Sequence, residues 1–205
     1  TSIIETMEKR DAALLEDIST TFSNIADCEY KKLVTLKSVI ESTIDNSYDS
    51  NESFFRSIIK STCGSNPMLA AVWICFDNGY VSGVSNGRQL LRTDRTSYGF
   101  ESKNTFFDYD TDNNTESPYY VVRRLGTPIF SEPSTFFQDE SVTKKYLKSS
   151  IALPINKDGE TIGVVSSDIN LHTLRLMVDS ICLASNKKIT IISSGGMIVD
   201  YHNPD

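Results

Sequence analysis

Through its first 63 residues the chain has neither glycine nor proline, and its apolar positions return every three or four residues. Ile4, Met7, Leu14, Ile18, Phe22, Ile25, Leu33, Leu36, Ile40 and Ile44 lie at such intervals, with Glu5, Glu8, Lys9, Arg10, Asp11, Glu16, Asp17, Lys31, Lys32 and Lys37 between them. The pattern predicts one long amphipathic helix that ends near "DNSYDS". At 1.5 Å per residue, some 44 residues would reach roughly 65 Å, more than the width of a small domain. Such a helix is either a long core element or a spine that leads away from the domain. A second helix is expected next, with Asp49 and Glu52 at capping-box spacing and Phe54, Phe55, Ile58 and Ile59 on one face. Gly64 is placed to end it in the left-handed conformation.

After Pro67 the period changes. "LAAVWICF" (69–76) predicts a buried strand, "DNG" (77–79) a turn and "YVSGVS" (80–85) the returning strand, ended by "NG" (86–87). Residues 88–147 read as long and loop-rich. "SSIALPI" (149–155), the turn "NKDG" (156–159) and "TIGVVSSD" (161–168) predict a second hairpin, followed at once by a helix over 171–181. "KITIISSGGMIVDYH" (188–202) predicts a third strand pair around Gly195 and Gly196. Helices followed by antiparallel hairpins make an α+β domain of PAS-like type.

Composition narrows the function. A net charge of −7 and a pI near 4.9 argue against a nucleic-acid partner. Apolar residues at 39% suffice for a core. No run of about 20 apolar residues is present to span a bilayer. The chain starts at Thr1, and we expect a fragment whose targeting and anchoring segments lie outside it. Cys28, Cys63, Cys75 and Cys182 are far apart, without zinc spacing, and are expected as buried small hydrophobes rather than a disulfide framework.

Candidate chemistry is sparse. His172 and His202 accompany no nucleophile elbow, H-E-x-x-H, Walker or dinucleotide motif, so no catalytic residue, metal site or cofactor is expected; His172 belongs on a helix surface. "DYDTDNN" places Asp108, Asp110 and Asp112 like a calcium loop, but the glycine position is Asn113 and the final glutamate position is Tyr119. "SPYY" (117–120) sets Tyr119 and Tyr120 in a polar loop, where they either wall a ligand pocket or close the core. Asp168, at the end of an apolar strand and just before a helix, either caps that helix, a role Asn170 could also take, or anchors a pocket.

The order of these segments resembles the double Cache sensor domains, the extracytoplasmic parts of bacterial and archaeal transmembrane receptors. The resemblance rests on the long helix, "VWICFDNGYVSGVS", "SPYYVVRRL", "PIFSEPSTFF" and "SSIALPINKDGETIGVVSSDINLHTL", and it covers roughly residues 1–180. It implies a spine helix over 1–47, a membrane-distal PAS-like sensing module over 48–182, and over 183–205 the start of a truncated membrane-proximal module. It also implies small-molecule binding in the distal module and an output such as a histidine kinase, chemotaxis or cyclase domain. The amino-acid-binding branch of the family holds the ligand carboxylate with the Arg and Trp of R-x-W-Y, and the amine with Tyr and Asp of a "PY-x-D" segment and a strand-end Asp. Tyr119 and Tyr120 fall at Trp-Tyr, and Asp168 falls at the strand-end Asp. The Arg position is Ser117, and the "PY-x-D" segment reads Pro133, Ser134, Thr135, Phe136.

The expected ligand site is therefore Tyr119, Tyr120, Ser134, Phe136 and Asp168. Without the Arg, its ligand is not a typical α-amino acid; a cationic amine, a neutral molecule or no ligand fits better. Closure of the tyrosine loop over Asp168 would move the spine, and two spines could pair as a homodimer. Replacing Asp168 with Asn should then abolish amine binding at little cost in stability. The rival reading is a protein-interaction ectodomain with a vestigial pocket.

Overall fold

The computed structural model describes residues 3–44, 48–77, 87–108, 115–137, 145–185 and 188–201. The chain divides into two compact units, 1–32 and 33–205. Helix α1 (Ile3–Thr43) is 41 residues long, as the unbroken apolar spacing predicts. In the first unit Met7 and Leu15 are exposed, and Lys32 pairs with Glu29 at 2.8 Å one turn back. In the second unit α1 contributes the buried Leu33, Leu36 and Ile40, and Glu41 accepts a hydrogen bond from the Asn156 N–H at 2.6 Å.

Helix α2 (Tyr48–Ser65) lies against strands β1 (Leu69–Phe76) and β2 (Gly87–Thr96). Gly64 does not end it: the helix continues to Ser65. Arg95 binds the helix end and the connector after it, donating to Cys63 O in the last turn at 2.5 Å, to Asn66 O at 2.9 Å and to Leu69 O at the start of β1 at 2.9 Å. A guanidinium with several donors satisfies orphaned helix-end carbonyls as well as a left-handed glycine does.

The larger sheet is antiparallel. Besides β1 and β2 it contains β3 (Gly99–Asp108), β4 (Ile129–Phe130), β5 (Ser134–Phe137), β6 (Lys145–Lys157) and β7 (Glu160–Asn170). Its order is β3-β2-β1-β7-β6-β4, with β5 also paired to β6. Two long strands thus replace the front of the region expected as loop. β2 was disguised because "RQLLRTDRT" carries charge on both faces, the three arginines held by tertiary partners and Asp94 by Arg92 of the same strand. The expected strand 80–85 lies outside the described residues, and β2 is the strand that returns against β1. The turn residues 78–79 and most of the "DYDTDNN" segment are likewise outside.

The β6–β7 hairpin forms where expected. It turns at Asp158 (φ 51°) and Gly159 (φ 86°), both left-handed as a two-residue type I′ turn requires. Gly163 has a different reason: a Cβ there would meet the Cys75 carbonyl oxygen at 2.5 Å, so β7 approaches β1 as only glycine permits.

Two faces of the sheet are used differently. Val72, Ile74 and Phe76 point to the α2 face, where the Phe55 and Phe76 rings lie 5.5 Å apart. The other face is covered by α3 (Pro118–Leu125), which packs on β6 and β7. Tyr119 and Val122 join Trp73, Cys75, Ala152 and Val164 there in one buried cluster. "SPYY" is accordingly not a loop. Ser117 precedes the helix in extended conformation, Pro118 takes the first turn, and Gly126 (φ 65°) ends it with its N–H on Val122 O at 2.8 Å.

Helix α4 (Leu171–Ser185) follows β7 directly. Its start is capped by Asn170, whose Oδ1 accepts the His172 N–H at 2.9 Å, so Asp168 is not the cap. The His172 ring is half-buried against Tyr146 rather than freely exposed. A small sheet of β8 (Thr190–Ile192) and β9 (Ile198–Tyr201) completes the described chain. Glu132 holds its turn, accepting from Ser194 Oγ at 2.6 Å and Gly195 N–H at 3.0 Å. All four cysteines are thiols; Cys63, Cys75 and Cys182 are buried as expected, but Cys28 is exposed.

Candidate ligand-binding site

Side-chain alternation carries Ala71, Trp73, Cys75 and Asp77 to the face of the sheet that α3 covers. Cross-strand register adds Asp168 opposite Ala71, Ser150 opposite Asp168 in turn, and Arg92 opposite Trp73. The face therefore holds two polar clusters, some six residues apart along β1 or about 20 Å, with the apolar Trp73–Tyr119–Val122 cluster between them.

The first cluster is built on Asp168, which is completely buried. Its Oδ1 accepts from Trp73 Nε1 at 3.1 Å and Ser150 Oγ at 2.8 Å. Its Oδ2 accepts from Lys148 Nζ at 2.5 Å and pairs with Arg92 at 3.1 Å. Arg92 also donates through Nε to Asp94 Oδ1 at 2.6 Å. Burial by itself would raise the Asp168 pKa, but the Lys148 and Arg92 cations and the Lys148 and Ser150 hydrogen bonds outweigh it and hold the carboxyl at about 2. Arg92 is held firmly protonated, its burial outweighed by Asp168 and Asp94.

The second cluster is built on Asp77, where Tyr119 donates its hydroxyl to Oδ1 at 2.5 Å and Arg123 pairs with Oδ2. Burial pushes the Asp77 pKa up, against the opposing pull of Tyr119 and Arg123. Arg88 enters from β2 with its guanidinium 4.3 Å from the Phe107 ring, 4.5 Å from Tyr119 and 5.3 Å from Tyr120, and donates to Cys75 Sγ at 3.4 Å. Ser117, where the resemblance would place an arginine, keeps a buried hydroxyl with no hydrogen-bond partner among the described residues.

These positions can be set against the expected site. Tyr119 and Tyr120 lie on the same face as Asp168 but toward the other end, their rings 4.9 Å apart. The tyrosines sit on a helix anchored to Asp77, not on a loop free to close over Asp168. Ser134 pairs with Lys148 in the β5–β6 register, next to the Asp168 cluster, and is exposed; Phe136 pairs with Tyr146 further along the same strand. The connector before β5 is sewn to Ser150: Ser131 Oγ accepts the Ser150 N–H at 2.8 Å, and Ser149 Oγ donates to Ser131 O at 2.5 Å.

The solved structures with this fold include the ligand-binding domain of the Campylobacter jejuni chemoreceptor Tlp3 in complex with 4-methylisoleucine. The match has a TM-score of 0.68 at 18% identity and covers 98% of this chain and 71% of that one. Another is the extracellular domain of mmHK1S-Z3, described as a histidine kinase, with TM-score 0.56, 15% identity and coverage of 92% and 70%. A third is the extracellular domain of soHK1S-Z6, also described as a histidine kinase, with TM-score 0.61, 14% identity and coverage of 96% and 89%. The chain has the fold of receptor sensor domains. No protein-family model matches the sequence, and no curated protein matches it.

Within that sensor fold, the partners that build the two clusters escaped the sequence reading: Trp73, Arg92, Asp94, Lys148 and Ser150 around Asp168, and Arg88 and Arg123 around Asp77, itself expected only as a turn residue. A signal for those on β2 was present. Arg88, Leu90, Arg92 and Asp94 alternate in a segment that also carries Leu91, the pattern of a strand whose charges are buried with partners. Lys148 stood just before the expected strand 149–155, so the hairpin register that sets it opposite Asn170, next to Asp168, was not drawn that far.

Proposed function

We propose that this chain is the extracytoplasmic small-molecule-sensing part of a membrane-anchored signal-transduction receptor, of the histidine kinase or chemotaxis kind. Its ligand would lie at the Asp168 end of the α3 face, where Lys148 and Arg92 are partly exposed beside Ser134 of β5. The three-part organisation (spine 1–47, sensing module 48–182, opening of a proximal module 183–205) belongs to this proposal. So does pairing of two spines in a homodimer, which the exposed Met7 and Leu15 of α1 would favour. We assign the chain no catalytic step.

The observation that carries the reading is the buried ionic network on that face. Two cations and a fully buried carboxylate cost several kcal/mol to desolvate, and well-packed apolar residues would stabilise a plain core at least as well. Charge concentrated this way on one face of a sensor-type fold supports a binding site there. Tlp3 itself is described with 4-methylisoleucine, L-norvaline, L-valine and isoleucine bound. Here Ser117 stands at the expected arginine position, and the ligand we propose is not a typical α-amino acid.

One observation favours the second reading, an interaction ectodomain with a vestigial pocket: Asp168 is already satisfied by the protein's own groups. A thermal-shift panel of amines, carboxylates, amino acids and neutral metabolites, followed by calorimetry, separates the two. Sensing predicts a saturable ligand whose binding is lost in Ser134→Trp, which sets a bulky ring at an exposed position beside Lys148. If no compound binds, the vestigial reading replaces it.

A further inference from the structure

A carboxylate has about four lone-pair positions. At Asp168 all four are taken from within the chain: Trp73 and Ser150 on Oδ1, Lys148 and Arg92 on Oδ2. A ligand ammonium group has nowhere to bind, and Lys148 Nζ at 2.5 Å already supplies what it would offer. The accessible groups are different ones. The Asp168 side chain is 0% exposed, whereas Lys148 and Arg92 are 18% and 20% exposed. Lys148 spends one of its three N–H donors on Asp168, and Arg92 spends two of its five on Asp94 and Asp168. Asp94 is similarly accessible, but its Oδ1 is taken by Arg92. An arriving molecule thus meets more unspent N–H donors than acceptors.

We infer that the Lys148 ammonium occupies Asp168 in place of a ligand amine, and that Lys148 and Arg92 together bind the carboxylate of a small organic acid that lacks an α-amino group. This rests on the sensing function proposed above. The pairing is chemically apt: a guanidinium and an ammonium side by side offer charge-assisted hydrogen bonds, and the carboxylate beneath keeps both aimed. Ser134, beside Lys148 in the β5–β6 register, adds a hydroxyl at the same end.

Trp73 gives a direct probe, because it is the single tryptophan of the chain and its indole N–H donates to Asp168. With ¹⁵N-labelled protein, the indole signal would be titrated with acetate, L-lactate and succinate, and separately with n-propylammonium. Wild type should shift saturably with at least one of the acids and not with the amine. Lys148→Met should weaken the acid by about 10- to 100-fold, the worth of a charge-assisted hydrogen bond. It should also begin to respond to n-propylammonium, since one lone pair of Asp168 is vacated. Arg92→Lys, which keeps the charge and loses the fork, should weaken the acid while far-UV circular dichroism stays unchanged.

A wild-type indole that shifts saturably with n-propylammonium would overturn the inference and leave sensing intact. Acid binding unaltered in both variants would do the same, as would an indole that moves only with a neutral compound. If no compound of any class perturbs any signal, the sensing function fails together with the inference.

Discussion

Asp168 turned from an expected pocket acid into the centre of a closed ionic network, and that changes what its replacement should do. Asn can keep one acceptor, but its amide would face the Lys148 and Arg92 cations, leaving Lys148 without its counter-ion and Arg92 with Asp94 alone. We expect Asp168→Asn to lose about 3 kcal/mol of unfolding free energy at pH 7, the scale of a broken buried pair. This reverses the expectation of a small cost. The pH dependence has a definite sign. A carboxyl held at about 2 in the folded protein and near 3.9 when unfolded stabilises the fold above about pH 5, and that stability is lost as the pH falls toward 2. The contribution is about 2 kcal/mol, and Asp168→Asn should erase that share of the acid sensitivity. Urea unfolding of both proteins from pH 7 to pH 2.5 tests the point; equal midpoints at pH 7 would show that the network does not stabilise the fold.

Among the elements, the β6–β7 hairpin was the most legible, because its determinants are local. Asp158 and Gly159 suit a left-handed turn wherever it occurs, and the apolar runs on either side have strand length. Gly163 was legible only as a glycine; its reason is the approach to the β1 backbone at Cys75. Gly163→Ala would press a methyl group on that carbonyl, where no flexible side chain can move aside. A cost of about 1–3 kcal/mol is expected, read as a fall in the urea midpoint. An unchanged midpoint would mean that β1 and β7 can part there without penalty. α2 shows the opposite case. Its local stop signal at Gly64 was overridden by Arg95, 31 residues later in sequence and invisible to any window over the helix.

At the scale of the whole molecule, cysteine chemistry reports on both units. Cys63, Cys75 and Cys182 are buried, and burial pushes the Cys63 thiol up to about 11, so at neutral pH it is a poor nucleophile. Cys28, on the exposed surface of α1, should be the one rapid site for iodoacetamide in the folded protein. Mass spectrometry after brief labelling should find one adduct, at Cys28; rapid labelling of Cys63 would mean that α2 opens readily from the sheet.

The sequence by itself determined the long helix, the buried strand 69–76, the β6–β7 hairpin, the helix after it and the terminal strand pair. Each of these depends on periodicity or on turn residues within a short window. It also placed Asp168 and the tyrosines on what proved to be one sheet face, through a resemblance in the order of segments. Only the tertiary structure decided how they relate. Charged strands such as β2 hide from a hydrophobicity pattern, because their charges are neutralised by partners far along the chain. Asp168 is filled rather than open for the same reason: Lys148 and Ser150 reach it across its own hairpin, but Trp73 and Arg92 come from β1 and β2, which only the sheet order brings to that side of β7.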